Sequence, residues 1–287
     1  MAAMAIATAG CDKIDINNTH KPYTPTGGSK TVLIKDFTGA RCVNCPEAAD
    51  YAHELQHRLG EDRIFILSVH AGYLATPAGQ FPDFLTDEGT AWYNNHDSNP
   101  LFSVDHVALT DGNTLNVEQI DTPVSDALSE SQTFDIAIAN DYDETLRQLK
   151  VTSEVTATSE YSGNLSLTVC LVEDSLVGWQ IIPGGMDREY VFRNVFRGTL
   201  NGADGEPLPS NHVFVEDTFA FTHSMTLDST YNADQCYILS YVSDNSKNGK
   251  ILQTAMQRSN DQLTTETTAS FVPSTLNLIS QGPKERP

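Results

Sequence analysis

At 287 residues the chain is long enough to bury a sizeable core and to form about two domains. With 39% hydrophobic and 19% charged residues it has the composition of a folded protein, which excludes wholesale disorder. Its 17 basic and 38 acidic residues give a net charge of −21, spread over both halves, and such a surface repels phosphate backbones, so nucleic acid is excluded as a partner.

No stretch reaches the length of a membrane-spanning helix. Residues 1–10 (MAAMAIATAG) are small and apolar and end at Cys11. Thr8-Ala9-Gly10-Cys11 resembles the cleavage box of a lipoprotein signal, which makes Cys11 the lipidated residue and the lipid on it the contact with a membrane. The box departs from the usual pattern at its third position before the cysteine, where Leu is common. The alternative is an ordinary N-terminus with an incidental cysteine. Residues 12–30 carry Asn17-Asn18, Pro22, Pro25 and Gly27-Gly28, the composition of a flexible tether.

A first folded domain is expected over residues 31–124. Residues 31–37 (TVLIKDF) suit a buried strand. A turn at Thr38-Gly39-Ala40-Arg41 leads into Cys42-Val43-Asn44-Cys45-Pro46. Beyond it Ala48, Ala52, Leu55 and Leu59 recur at helical spacing, and Gly60 is a natural terminator. Residues 63–69 (RIFILSV) form a second buried-strand candidate. Strand, CxxC at a helix start, helix and strand make the layout of a thioredoxin βαβ unit.

That layout suits thiol chemistry. A cysteine at a helix N-terminus faces unpaired N–H groups and the positive end of the dipole, which favours the reactive thiolate at Cys42. Cys45, one turn on, is placed to resolve a mixed disulfide. A structural disulfide and half of a zinc site are the alternatives, and no second CxxC exists to complete the latter. No metal or other cofactor is expected.

Thioredoxin folds place a cis-proline just before the third core strand. If residues 107–109 form that strand, the better alignment, His106 stands where proline is expected; if the strand begins earlier, Pro100 serves. Between them, residues 75–98 are an insertion, with a helix expected over 84–95 that carries Trp92 and Tyr93. His70, at the end of the second strand, is a candidate neighbour of Cys42, as is His106.

His53-Glu54-Leu55-Gln56-His57 matches HExxH, a zinc-protease signature. However, the two histidines lie nearly opposite the apolar stripe of the helix, so a solvated face is the expected reading.

From residue 131 the period changes to two. Phe134, Ile136 and Ile138 alternate, as do Leu165, Leu167, Val169 and Leu171, and then Tyr237, Leu239 and Tyr241, with turn residues between the runs. An all-β antiparallel sandwich domain of seven or eight strands is expected over residues 131–287. Residues 188–198 (REYVFRNVFRG) are the most basic segment; Arg193 and Arg197 either bind an acidic partner or, preferably, pair with local carboxylates. Cys170 and Cys236 fall on predicted strands and would need to meet to form a disulfide.

The run DFTGARCVNCPEA, together with Glu173-Asp174 and REYVFRNVFRG, resembles the "outer-membrane protein twenty-eight" family of bacterial lipoproteins. That family joins a thioredoxin-like domain to a β-rich domain. The resemblance covers nearly the whole mature chain and implies an outer-membrane location, periplasmic or surface-facing, and a redox role. Two functions follow. One is a thiol–disulfide oxidoreductase with Cys42 attacking, Cys45 resolving and protein clients as partners. The other is a non-catalytic binding or adhesion lipoprotein that uses both domains as an interaction scaffold.

Overall fold

A computed structural model describes residues 29–258; Cys11 and the expected signal segment lie outside the described residues. β1 (Val32–Thr38) leads through the CxxC segment into α1 (Cys45–Leu59), and β2 (Ile64–His70) returns parallel to β1 with Thr38 opposite His70. Both strands are buried on both faces, which is why they read as unbroken apolar runs rather than as alternation. α1 lays Ala48, Ala52 and Leu55 against Val32, Ile34, Ile64 and Ile66. Pro46 sits in its first turn, where a missing N–H is harmless, and Gly60 ends it at φ 137°.

α2 (Asp87–Tyr93) is the helix of the insertion. It is shorter than expected because Thr86 caps its start, Oγ1 accepting from Gly89 N at 3.0 Å, and Asn94 leaves it in the left-handed region. β3 (Leu101–Val104) lies antiparallel to β1, and α3 (Asp121–Ser129) adds Val124 and Ala127 to the layer of α1.

The strand expected at residues 107–109 is a correction: β3 ends at Val104. Asp105 stops it, with φ 52° and a buried carboxylate that accepts from Leu33 N at 2.8 Å and from the Lys30 ammonium at 2.7 Å. The Asn99–Pro100 bond, immediately before β3, is cis. The residue immediately before β3 is Pro100, the second of the two expectations, and not His106.

The second half contributes β4 (Phe134–Asp143), β5 (Gln148–Ala157), β6 (Tyr161–Ser162), β7 (Leu165–Glu173), β8 (Leu176–Ile182), β9 (Gly185–Phe192), β10 (Val195–Thr199), β11 (Glu206–Pro207), β12 (His212–Val213), β13 (Thr218–Thr226), β14 (Cys236–Asp244) and β15 (Lys250–Arg258). β13, β5 and β4 form a three-stranded antiparallel layer. Alternate residues of this layer (Phe134, Ile136, Leu149, Val151, Val155) pack against Leu165, Leu167 and Val169 of β7, Ile238 and Val242 of β14, and Leu252 of β15. The fold is mostly β, as expected of the second half. The difference from a self-contained sandwich is that one of its two layers also holds β1, β2 and β3.

That larger layer is one sheet in the order β15-β14-β7-β10-β2-β1-β3, with β11 added beside β7. The halves meet where β10 runs parallel to β2, Val195 opposite Ser68, with Ser68 N donating to Asn194 O at 2.9 Å. The sheet also curls until its ends touch: Val107 N donates to Gly249 O at 3.0 Å and Ile251 N to Asp105 O at 2.7 Å. Inside the curl lie Leu33, Phe37, Leu67, Trp92, Val172, Phe196, Leu239 and Tyr241. Among the described residues no helix is long and apolar enough to cross a membrane.

Asp105 holds Lys30, β1 and the sheet ends together. Replacing Asp105→Ala leaves a buried ammonium without its carboxylate, a loss of about 3–5 kcal/mol. Urea unfolding of the two proteins side by side measures it; a change under about 1 kcal/mol would show that the pair is unimportant.

Candidate functional site

Two neighbouring loops carry the site at the carboxyl ends of β1 and β2. Gly39 is there because of a close approach: a Cβ on it would fall 2.6 Å from the backbone carbon and oxygen of Leu74. Arg41 N donates to Leu74 O at 3.1 Å, and the Arg41 guanidinium donates to Tyr73 O at 2.8 Å while lying over the Tyr73 ring. These contacts fix the turn that presents Cys42.

Cys42 and Cys45 form a disulfide. α1 begins at Cys45, so Cys42 stands in the turn that precedes the helix, its N–H donating to Gly39 O at 3.0 Å. Both cysteines are only 2% exposed, although Val43 between them is 40% exposed. Part of the cover comes from the other half of the chain. Gln180 of β8 donates from Nε2 to Cys42 O at 2.8 Å, and Ile181 N donates to Ala40 O at 2.9 Å.

His70 reaches this cover. Its ring meets Phe84 and Phe192 edge-on at 4.9 and 5.6 Å, and neither ring nitrogen has a hydrogen-bond partner. Burial, with the Arg197 charge adding to it, pulls its pKa down to about 3, so the ring is neutral at physiological pH and brings no positive charge to Cys42. His106 lies elsewhere, bridged to Lys250 at the meeting of the sheet ends, with Nδ1 3.3 Å from Asn248 O.

Asp36 of β1 is a fully buried acidic residue. By the strand's two-residue alternation it shares the α1-facing side with Val32 and Ile34. Its Oδ1 has no partner, and burial raises its pKa to about 8. A carboxyl there is protonated at neutral pH. The signal was present as a charged pair, Lys35-Asp36, inside an otherwise apolar strand.

The remaining candidates are dispersed. Arg197 is used internally: it pairs with Glu173 at 3.3 Å and stacks over Tyr231 at 4.0 Å, so it is a poor contact for an acidic partner. Arg193, half-buried, lies in the connection between β9 and β10, whereas Arg197 is on β10. His57 is exposed and pairs with Glu61 at 2.7 Å, while His53 contacts Gln56 at 3.3 Å. Among the described residues no three His, Cys, Asp or Glu side chains are gathered as metal ligands. Cys170 and Cys236 lie on adjacent strands but in the cores on opposite faces of the sheet, and no disulfide joins them.

The sequence profile described as "Outer membrane protein Omp28" matches residues 102–262, more than half of the chain. The chain belongs to the Omp28 family. Membership carries the expected outer-membrane location. The matched region begins after Cys45, so it takes in β3 and the β-rich half but not the CxxC, a narrower extent than the sequence resemblance suggested. Among solved structures the chain is similar to HBP35 of Porphyromonas gingivalis, with a TM-score of 0.63 at 14% identity over 83% of this chain and 77% of that one, a likeness of fold. A domain of the outer membrane lipoprotein Omp28 from Porphyromonas gingivalis superposes with a TM-score of 0.34 at 18% identity, over 46% of this chain and 92% of that one. No curated protein matches the sequence.

The raised pKa of Asp36 has a stability consequence with a definite sign. The folded protein keeps a proton that the unfolded chain releases above the ordinary value of 3.8. The stabilisation is full below that pH, declines as pH rises, and is gone once pH passes about 8. Asp36→Asn removes the titration, so unfolding free energies of the two proteins should diverge in the variant's favour from pH 4 to 8. Parallel curves over that window would show that Asp36 is ionised in the folded state.

Proposed function

We propose that this Omp28-family protein is a lipoprotein anchored through Cys11, with residues 12–30 as its tether, and that residues 31–124 form a thioredoxin-like unit with a thiol–disulfide exchange centre at Cys42 and Cys45. The observation that carries the proposal is the Cys42–Cys45 disulfide just after β1, where a strand-helix-strand unit joins a third strand. Parallel β1 and β2 flanking α1, with β3 antiparallel on the other side of β1, support that reading of the fold.

In the oxidised form a client thiolate attacks one sulfur and displaces the other as a thiolate. A second client thiol then attacks the mixed disulfide. The client leaves as a disulfide, and two electrons and two protons stay on Cys42 and Cys45. The reverse sequence reduces a client disulfide, starting from the Cys42 thiolate.

A specific observation favours the second reading, a binding lipoprotein whose disulfide is structural: both cysteines are 2% exposed, and Gln180 of β8 is bonded to the Cys42 carbonyl. Insulin reduction by the soluble chain, with Cys42→Ser as control, separates the two. The exchange reading predicts catalysis that the variant loses, and a reduction potential above about −300 mV; a lower potential marks a structural bond. The anchor is tested separately, since Cys11→Ala should abolish labelling by radioactive palmitate in cells; retained labelling would move the anchor off Cys11.

A further inference from the structure

β7 and β10 are antiparallel neighbours in the large sheet, and a tight turn would suffice to connect them. Instead the chain leaves the sheet as a hairpin, β8 and β9, whose strands pair only with each other. The feet of this hairpin are pinned. Asn194 N donates to Asp174 Oδ1 at 3.0 Å, the Ser175 hydroxyl donates to Asp174 Oδ2 at 2.8 Å, and the Tyr237 hydroxyl donates to Asn194 Oδ1 at 2.8 Å. Ser175 and Asn194 both sit at positive φ, 60° and 52°, where the chain turns out of the sheet and back into it.

The body of the hairpin has no strand pairing to the sheet and rests on the loops beside it, with Trp179 against Phe81 and Leu176, Tyr190 and Phe192 packed around Phe84 and Ala40. It docks on the CxxC loop through Gln180 to the Cys42 carbonyl and Ile181 to the Ala40 carbonyl, and through Phe192 against Phe84 and His70. The two carbonyls are alternate acceptors of one short segment, the kind of edge that an extended polypeptide uses when it docks beside a strand. The hairpin thus stands on backbone acceptors beside Cys42 that a client chain would otherwise approach.

We propose that the β8–β9 hairpin is a displaceable cap over the Cys42–Cys45 disulfide, an autoinhibitory contact that an extended polypeptide client replaces at the Ala40 and Cys42 carbonyls. Its feet keep it attached to the sheet, and its tip and body swing away. Gln180 is a positioning residue, since its amide clamps the cap to the loop without touching sulfur. The client half of the proposal rests on the exchange reading above; the cap itself does not.

The test is the rate at which a bulky phosphine reductant opens the disulfide, read by alkylation and mass spectrometry on the soluble chain. If reaction needs the cap to open, the rate follows the opening equilibrium. Gln180→Ala should then speed reduction about tenfold, the order expected for one buried hydrogen bond. Replacing residues 176–192 by a short glycine-serine turn should speed it further, with the circular dichroism spectrum retained. Rates equal to those of the parent protein would overturn the cap. Should the deletion fail to fold, native-state hydrogen exchange decides: the Ile181 amide should exchange well before the Ser68 amide of the sheet, and equal protection would refute a cap that opens on its own. Fast reduction without insulin reduction by the uncapped protein would leave the cap standing and remove the client.

Discussion

The short stretch where β10 runs beside β2 decides the architecture. Without it β1, β2 and β3 would form a small three-stranded sheet with one face under α1 and α3 and the other without a core. With it, the interior face of the first half continues into β7 and β14, so Leu67, Val172 and Leu239 share one apolar interior. Because hydrophobic burial scales with area, neither face of the sheet could be stripped of its partner without exposing much of the other half. The curl that brings Asp105 to Ile251 follows from the same continuity, since a strongly twisted sheet of this width bends back on itself.

Buried charge is the second organising feature. Lys35 lies fully inside the curl, its ammonium 2.7 Å from the Val107 carbonyl and 3.5 Å from the centre of the Trp92 ring. Burial drags its pKa down to about 7, while the carbonyl and the ring face favour the charged form. Its neighbour Asp36 points the other way and is held protonated. Two consecutive residues of one strand therefore carry opposite perturbations on opposite faces, one toward the interior of the sheet and one toward the helix that starts at Cys45.

Much of the secondary structure was legible from local pattern alone. Apolar runs marked β1 and β2, the spacing of Ala48, Ala52 and Leu55 marked the buried face of α1, and the alternation of Phe134, Ile136 and Ile138 marked β4. The errors arose where position depends on distant partners. His106 looked like the residue before a core strand because Val107-Ala108-Leu109 is apolar, yet His106 bridges to Lys250 and Val107 N donates to Gly249 O, partners in the last part of the chain, while Leu109 N donates to Trp92 O. The cover over Cys42 left no trace in sequence, because Gln180 and Cys42 are 138 positions apart and only the fold brings them together. Pairing of Arg197 with a carboxylate was the preferred expectation, but its partner Glu173, which precedes it by a whole hairpin, could not be named from local pattern.

The way the chain enters its fold bears on how it would carry a mechanical load. At residues 30 and 31 the polypeptide is fastened at once to several places: Lys30 to Asp105, Thr31 N to the Gln253 side chain at 3.0 Å, and the Thr31 hydroxyl to the Thr254 carbonyl. A pull applied from residue 29 must therefore strain contacts to β15 and to the segment after β3 together with the pairing of β1 to β2. Bonds stretched together share the force, whereas a strand peeled from one edge gives way bond by bond. Rupture of this entry point would require many contacts to fail at nearly the same moment, so the unfolding rate under tension should be set by the whole seam, with the first strand slow to detach.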